Sequence, residues 1–223
     1  MNMQAPVLNK LLAGEFICPI AFSKEYEQLQ DDGFRSEVEV WLGSLNMRLA
    51  RLGEDGAFFM APAQLQSAQL TRVKDELLRF RDVYGPWIRM LNLIRQAKEG
   101  FDCVVGDYVQ LAELETAINE SSTLESQLRN LHGVISNVAA RNSNRDFLKR
   151  LLEHLKSDGL LVMVNPQTET YRVAGKIDQV HAVLEFISEH EAVTTPPVGD
   201  QPQESETLDF LRANDSEEDE DHG

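Results

Sequence analysis

The spacing of apolar side chains predicts helices along most of the chain. Helical spacing is found over residues 7–13, 35–45, 66–83, 86–98, 109–118, 122–135, 147–157 and 176–189. In the second of these stretches, for example, Val38, Trp41 and Leu45 fall on a single helix face. A repeat of this kind is typical of a helix with one buried side. The pattern therefore predicts a mainly α protein.

Two β-hairpins interrupt the helical pattern. Residues 48–52 and 57–61 are extended segments around a turn that contains Asp55-Gly56, and residues 160–164 and 171–173 flank a second turn. Short runs of this kind around Asp-Gly or Asn-Pro are typical of hairpins. Residues 15–22 are apolar but contain Pro19, which predicts a packed connector rather than a central strand.

Each hairpin follows a group of helices, and this order is that of a winged helix. The predicted fold class is therefore mainly α with small β-hairpins (α+β), built from tandem winged-helix domains. We place the N-terminal winged-helix domain at residues 1–65, a linking helix at 66–85 and the C-terminal winged-helix domain at 86–190. Residues 191–223 are rich in proline, serine and acidic residues, which predicts a disordered tail.

The charge distribution limits the possible partners. The chain has 21 lysine and arginine residues against 37 aspartate and glutamate residues, a formal net charge of −16. The predicted tail contains eleven acidic residues and one arginine, so it carries −10 of this charge. The summed negative field disfavours general electrostatic binding to DNA or to anionic membranes. DNA binding would therefore need a local basic face.

The helix that precedes the second hairpin offers such a face. Arg145, Lys149 and Lys156 lie at positions i, i+4 and i+11, on one side of a helix. The DNA-contact candidates are Arg145, Lys149, Arg150, Lys156 and the wing residue Arg172. Asp146, Glu153 and Asp158 lie among them, which predicts weak phosphate contacts rather than base-specific recognition. The competing interpretation is an ordinary solvated helix face.

Two adjacent aromatic residues on the first hairpin are candidates for a partner interface. Because successive side chains of a strand point to opposite faces, one of Phe58 and Phe59 must point inward and the other outward. An aromatic ring exposed on a wing is a liability unless a partner covers it. The outward ring is therefore the interface candidate.

No motif in the sequence indicates catalysis. The five histidines are scattered, and there is no HExxH, no P-loop and no nucleophile elbow. Cys18 and Cys103 are far apart and are predicted to be small core residues. We therefore expect no enzyme activity, no cofactor and no metal. The absence of a secretion signal or a long apolar run predicts a soluble cytoplasmic protein.

Several stretches of the sequence are similar to a known family. They are LLAGEFICPIAF (11–22), LNMRLARLGEDGAFFMAP (45–62), RDVYGPWIRML (81–91), VQLAELETAI (109–118) and LLEHLKSDGLLVMV (151–164) before YRV. In their order and spacing the chain resembles the MukE/MksE-type accessory subunit of the bacterial MukBEF and MksBEF condensins. This family belongs to the kleisin-interacting tandem winged-helix group. The resemblance is closer to the MksE branch, which also occurs in plasmid-defence complexes.

The resemblance implies a non-enzymatic subunit of a nucleoid-associated complex in the cytoplasm. Such a subunit forms a homodimer and binds the kleisin subunit (MksF/MukF-like), which connects it to an SMC-type ATPase (MksB/MukB-like). Its role would be chromosome condensation and segregation, or plasmid defence, with weak DNA binding within the complex. Lys149 and Lys156 fall where the family's DNA-contacting residues are expected, whereas Ser157 and Asp158 stand where the MukE branch is more basic.

Two other functions remain open at the level of sequence. A dimeric winged-helix transcriptional regulator would need a strongly basic recognition helix. A hydrolytic enzyme of another type would need a polar pocket with converging titratable groups.

Overall fold

A computed structural model of the chain describes residues 4–64, 85–131 and 143–189. The helices are α1 (Ala5–Leu12), α2 (Ser23–Gln30), α3 (Asp32–Gly43), α4 (85–97), α5 (Leu111–Glu120), α6 (Ser122–Asn130), α7 (Asn144–Ser157) and α8 (Lys176–Glu189). The strands are β1 (Met47–Arg51), β2 (Phe58–Pro62), β3 (Tyr108–Gln110), β4 (Leu161–Asn165) and β5 (Thr170–Val173). This composition confirms the predicted fold class, mainly α with small β-hairpins. The predicted helix over 66–83 and the predicted tail lie outside the described residues.

The first half of the described chain packs three helices beside a small sheet. Strands β1 and β2 form an antiparallel hairpin in which Arg51 pairs with Phe58 and Met47 with Pro62. Ile17 adds a third, single-residue partner on the other side of β2, through reciprocal backbone hydrogen bonds with Phe58 of 2.8 and 2.9 Å. The segment predicted to be a connector thus also pairs with the sheet. Pro19, two residues later, has no N–H with which to extend the ladder.

The second half repeats this arrangement on a larger scale. Strand β3 precedes α5, and the three-stranded antiparallel sheet has the order β3–β5–β4. In the first half Ile17, which precedes α2 and α3, pairs with β2. In the second half β3, which precedes α5, α6 and α7, pairs with β5. In each half the partner is the last strand of the hairpin, which is the strand arrangement of a winged helix. The sequence pattern missed β3 because three residues are too few to show a period of two. It also missed α2.

Helix starts follow local side-chain chemistry. Asp31 accepts a hydrogen bond from the Phe34 amide at the start of α3, and Ser143 caps α7 in the same way. Ser121 caps α6, since its hydroxyl oxygen accepts a hydrogen bond of 3.3 Å from the amide of Leu124. Ser121 has an extended backbone, which an N-cap requires, whereas Ser122 already lies inside α6.

The apolar residues form two cores, one in each half. The first gathers Val7, Leu11, Leu29, Val38, Leu42 and Phe58, and the second surrounds Tyr171 and the apolar face of α7. Both free cysteines are buried, as predicted. Burial raises the pKa of the Cys103 thiol to about 12, so that this residue stays protonated at neutral pH.

A small third cluster connects the two halves. Cys18, Ala57 and Ala174 are buried together, and the amide of Gly175 donates a hydrogen bond of 3.2 Å to Cys18 Sγ. A Cβ atom at Gly175 would lie 2.7 Å from Cys18 Cβ and 2.8 Å from Ala57 Cβ. Cys18, Ala57, Ala174 and Gly175 are called the joint below. The joint has no space for a further carbon atom, so the two halves meet without a gap there.

Candidate nucleic-acid and partner surfaces

Helix α7 carries the predicted DNA-contact residues because its apolar face is fixed in the second core. Phe147, Leu148, Leu151, Leu152 and Leu155 are all buried. This face holds the helix against α5 and the sheet, and it leaves Arg145, Lys149, Arg150 and Lys156 exposed on the other sides. The structure therefore places these four cations at the surface, as the sequence predicted.

The turn of the second hairpin brings an acidic residue to these cations. Asn165 Oδ1 accepts hydrogen bonds from the amides of Gln167 and Thr168, which tightens the turn. Glu169 follows with φ +47°, a left-handed conformation that is rare for a residue with a side chain. Its carboxylate reaches across to α7.

Four charged side chains form a chain of ion pairs at this point. Lys149 Nζ lies 2.8 Å from Glu169 Oε1, while Arg145 contacts both Glu169 and Glu115, the latter at 2.7 Å. The hydrogen bond from Lys149 holds the pKa of Glu169 below its usual value and raises the pKa of Lys149. Glu115, Arg145, Lys149 and Glu169, called the wing network, have no net charge at neutral pH.

The remaining candidate cations also have neighbours. Lys156 lies 2.9 Å from Glu153, which accepts a hydrogen bond of 3.0 Å from the Tyr171 hydroxyl. Arg172 donates to the carbonyl of Gly106 at 3.1 Å, and its guanidinium lies 4.7 Å from the centre of the Tyr108 ring. Arg145, Lys149 and Lys156 are thus all in ion pairs with carboxylates.

The two hairpin phenylalanines separate as an inward and an outward ring. Phe58 is only 2% exposed and belongs to the first core, so it is not available to a partner. Phe59 is half-buried and stacks on Phe16, with ring centres 5.1 Å apart and an interplanar angle of 14°. Phe59 is therefore the interface candidate of the pair.

A cavity of about 550 Å³ opens beside this aromatic pair. Its lining comes from both halves and includes Phe16, Phe22, Val162, Met163, Lys156 and Lys176. Lys176 Nζ donates a hydrogen bond of 2.7 Å to the carbonyl of Asp158 and lies 5.1 Å from the centre of the Trp87 ring. Burial lowers the pKa of Lys176. Glu15 and Asp158 also line the cavity, so it combines apolar side chains with two amines and two carboxylates.

Comparison with known proteins does not assign a family. No protein-family model matches the chain, and no curated protein matches it either. Within the described ranges, no group of three or more histidine, cysteine, aspartate or glutamate residues could hold a metal ion. None of the described helices is long and apolar enough to cross a membrane.

The sequence identified the cations of α7 but missed their partners. The sequence pattern shows only the acidic residues that lie close to these cations along the chain, such as Glu153. Glu115 and Glu169 are 30 and 24 residues from Arg145 in the chain, and only the folded sheet brings the wing next to the helix. Glu169 has a weak sequence signal, since it follows the turn Asn165-Pro166-Gln167-Thr168.

Proposed function

We propose that the chain is a non-enzymatic accessory subunit of a bacterial SMC/condensin complex of the MksBEF/MukBEF type. In this proposal it dimerises, binds the kleisin subunit and assists DNA engagement in chromosome segregation or plasmid defence. The resemblance of the sequence and two similar helix–hairpin units in the described residues support it.

The wing network is the observation that favours this function over transcriptional regulation. A recognition helix needs free arginine, lysine, asparagine or glutamine side chains to read base edges. Here Arg145 and Lys149 are paired with Glu169 and Glu115. A phosphate group would first have to displace Glu169, so α7 itself offers only weak phosphate contacts. A helix of this kind suits a subunit that does not read a specific DNA sequence.

The cavity between the two halves is the candidate docking site for a kleisin segment. Phe16 and Phe59 provide an aromatic anchor at its edge, and Lys156, Lys176, Glu15 and Asp158 provide charged groups of both signs. Interfaces commonly combine buried aromatic anchors with a polar rim. Dimerisation would make the attachment bivalent, which increases avidity without new contacts.

Titration of the purified chain with the kleisin encoded in the same genome tests the kleisin part of the proposal. We expect saturable binding of one kleisin segment per chain. Replacement of Lys156 and Lys176 by glutamine is expected to weaken the binding, whereas Lys24→Gln on the exposed face of α2 is not. Binding that is absent at micromolar concentrations would contradict the proposal.

We expect Glu169→Gln to strengthen DNA binding about tenfold at low salt. The substitution removes the carboxylate and frees Lys149 for a phosphate group, while Arg145 keeps its ion pair with Glu115. Each new phosphate contact steepens the salt dependence by about 0.9. Fluorescence anisotropy with a labelled duplex over a salt series measures both quantities. Glu27→Gln makes the same change in net charge at an exposed position of α2, and it is expected to have little effect. Equal gains in the two variants would show that only net charge matters.

A further inference from the structure

Helix α4 has an exposed face without acidic residues in an otherwise acidic chain. Residues 85–97 contain no aspartate or glutamate, although the net charge of the chain is −16. The exposed positions of this helix include Arg89, Asn92, Arg95 and Gln96. Since surface helices usually mix both signs of charge, the absence of acidic residues is unusual.

The two arginines of this face differ from Arg145 of α7 because they have no acidic partner among the residues that the structure describes. Within residues 4–64, 85–131 and 143–189, Arg89 forms neither a hydrogen bond nor an ion pair, and Arg95 contacts only Asn92 Oδ1, at 3.1 Å. Arg145 and Lys149 would have to give up Glu169 before they could bind a phosphate group. Arg89 and Arg95 would give up no ion pair.

Helix α6 extends the face with further amide groups. Gln127 donates a hydrogen bond of 3.1 Å to Gln96 Oε1 and so connects the two helices. A shallow groove of about 190 Å³ lies between them, with Arg89, Asn92, Gln127 and Asn130 at its walls and Leu93 and Leu131 beneath. Its lining contains no carboxylate. Arg89, Asn92, Arg95, Gln96, Gln127 and Asn130 are called the α4–α6 face.

Among the described residues, the acidic side chains near this face lie at its borders. Glu125 on α6 is paired with Arg129, at 2.6 Å. Glu99 and Asp102 follow the end of α4, and Asp102 lines a neighbouring groove together with both Arg89 and Arg95. The negative charge near the face is thus confined to its edge.

The side chains of the α4–α6 face suit a phosphodiester backbone better than a protein surface. Guanidinium groups bind phosphate oxygens in a bidentate manner, and asparagine and glutamine supply a large share of the other contacts to DNA backbones and bases. A protein interface would need an apolar centre. Ile88, which is 36% exposed, is the large exposed apolar side chain of α4.

We propose that the α4–α6 face binds the DNA phosphate backbone. The surface is additional to the α7 candidates, and it does not depend on kleisin binding. It provides a DNA contact that needs no rearrangement of the wing network.

A charge-reversal pair with a matched control tests the assignment. Arg89→Glu with Arg95→Glu changes the net charge by −4, and so does Lys24→Glu with Arg48→Glu. Lys24 and Arg48 are exposed and have no ion pair in the described part of the chain. Affinity for a fluorescein-labelled duplex is measured by anisotropy from 25 to about 150 mM salt, after circular dichroism has shown that all variants are folded.

We expect the α4 pair to bind DNA at least about tenfold more weakly than the Lys24/Arg48 pair, with a salt dependence reduced by about two contacts. The milder pair Arg89→Gln with Arg95→Gln is expected to show a smaller loss in the same direction. Equal losses in the two charge-reversal pairs would overturn the proposal, as would the absence of DNA binding by the wild-type chain at 25 mM salt. Unchanged DNA affinity with lost kleisin binding would assign the face to a protein partner instead, and would also overturn it.

Discussion

Replacement of Phe58 by alanine is expected to lower the free energy of unfolding by about 3–5 kcal/mol, the usual cost of deleting a buried phenylalanine ring. The ring lies in the first core, 5.7 Å from the centre of Tyr26, and the Arg51 guanidinium lies 4.6 Å from its centre. The backbone of Phe58 also pairs with Ile17 on one side and with Arg51 on the other. The substitution therefore removes a ring from the core to which residues of α1, α2 and α3 all contribute. Urea denaturation followed by circular dichroism measures the change.

The neighbouring residue provides the control for this experiment. Phe59→Ala is expected to cost only about 1 kcal/mol, because the ring is half-buried and loses mainly its stacking on Phe16. If Phe59 anchors the kleisin segment, the same variant binds the kleisin at least about tenfold more weakly. Equal destabilisation by the two substitutions would contradict the inward and outward assignment of the two rings.

Replacement of Gly175 by alanine is expected to destabilise the chain by about 1–3 kcal/mol through overpacking of the joint. The new Cβ would lie 2.7 Å from Cys18 Cβ and 2.8 Å from Ala57 Cβ. Both neighbours are fixed to the backbone, so neither can move aside as a flexible side chain would. Relief would require the two halves of the described chain to shift apart at the joint. Urea denaturation again gives the free energy of unfolding.

Two further variants test whether overpacking of the joint causes the destabilisation. Gly43→Ala at the end of α3 adds a methyl group with no atom within 4 Å, and its better helix propensity makes it neutral or slightly stabilising. Combining Gly175→Ala with Ala57→Gly removes one of the two close contacts and is expected to recover part of the loss. A Gly175→Ala variant as stable as the wild-type chain would show that the joint is not tightly packed.

The periodic parts of this fold could be predicted from the sequence. The apolar faces of α7 and α8 and both hairpins are visible in the residue pattern because each extends over several repeats. Strand β3 and the pairing of Ile17 with Phe58 were not predictable in this way, since three residues or one residue show no period. The position of β3 depends on hydrogen bonds to β5, and that of Ile17 on hydrogen bonds to Phe58 in β2. In both cases helices separate the two partners in the sequence.

The candidate surfaces, too, could be predicted only in part from the sequence. Helical spacing placed Arg145 and Lys149 on one side of α7, but it did not show that Glu169 neutralises them from the wing. Conversely, Arg89 and Arg95 gave no motif signal, and they stand out only because no acidic side chain in the described part of the chain pairs with them. Sequence patterns identify charged residues, whereas the tertiary structure decides which charges remain available.

The most direct test of the proposed function is affinity purification of the C-terminally tagged chain from native cells, followed by mass spectrometry and light scattering. We expect a complex that contains a kleisin and an SMC-type ATPase, with two copies of the tagged chain. A tagged chain recovered by itself, as a simple dimer with bound DNA fragments, would contradict the condensin-subunit function and support the winged-helix transcriptional regulator.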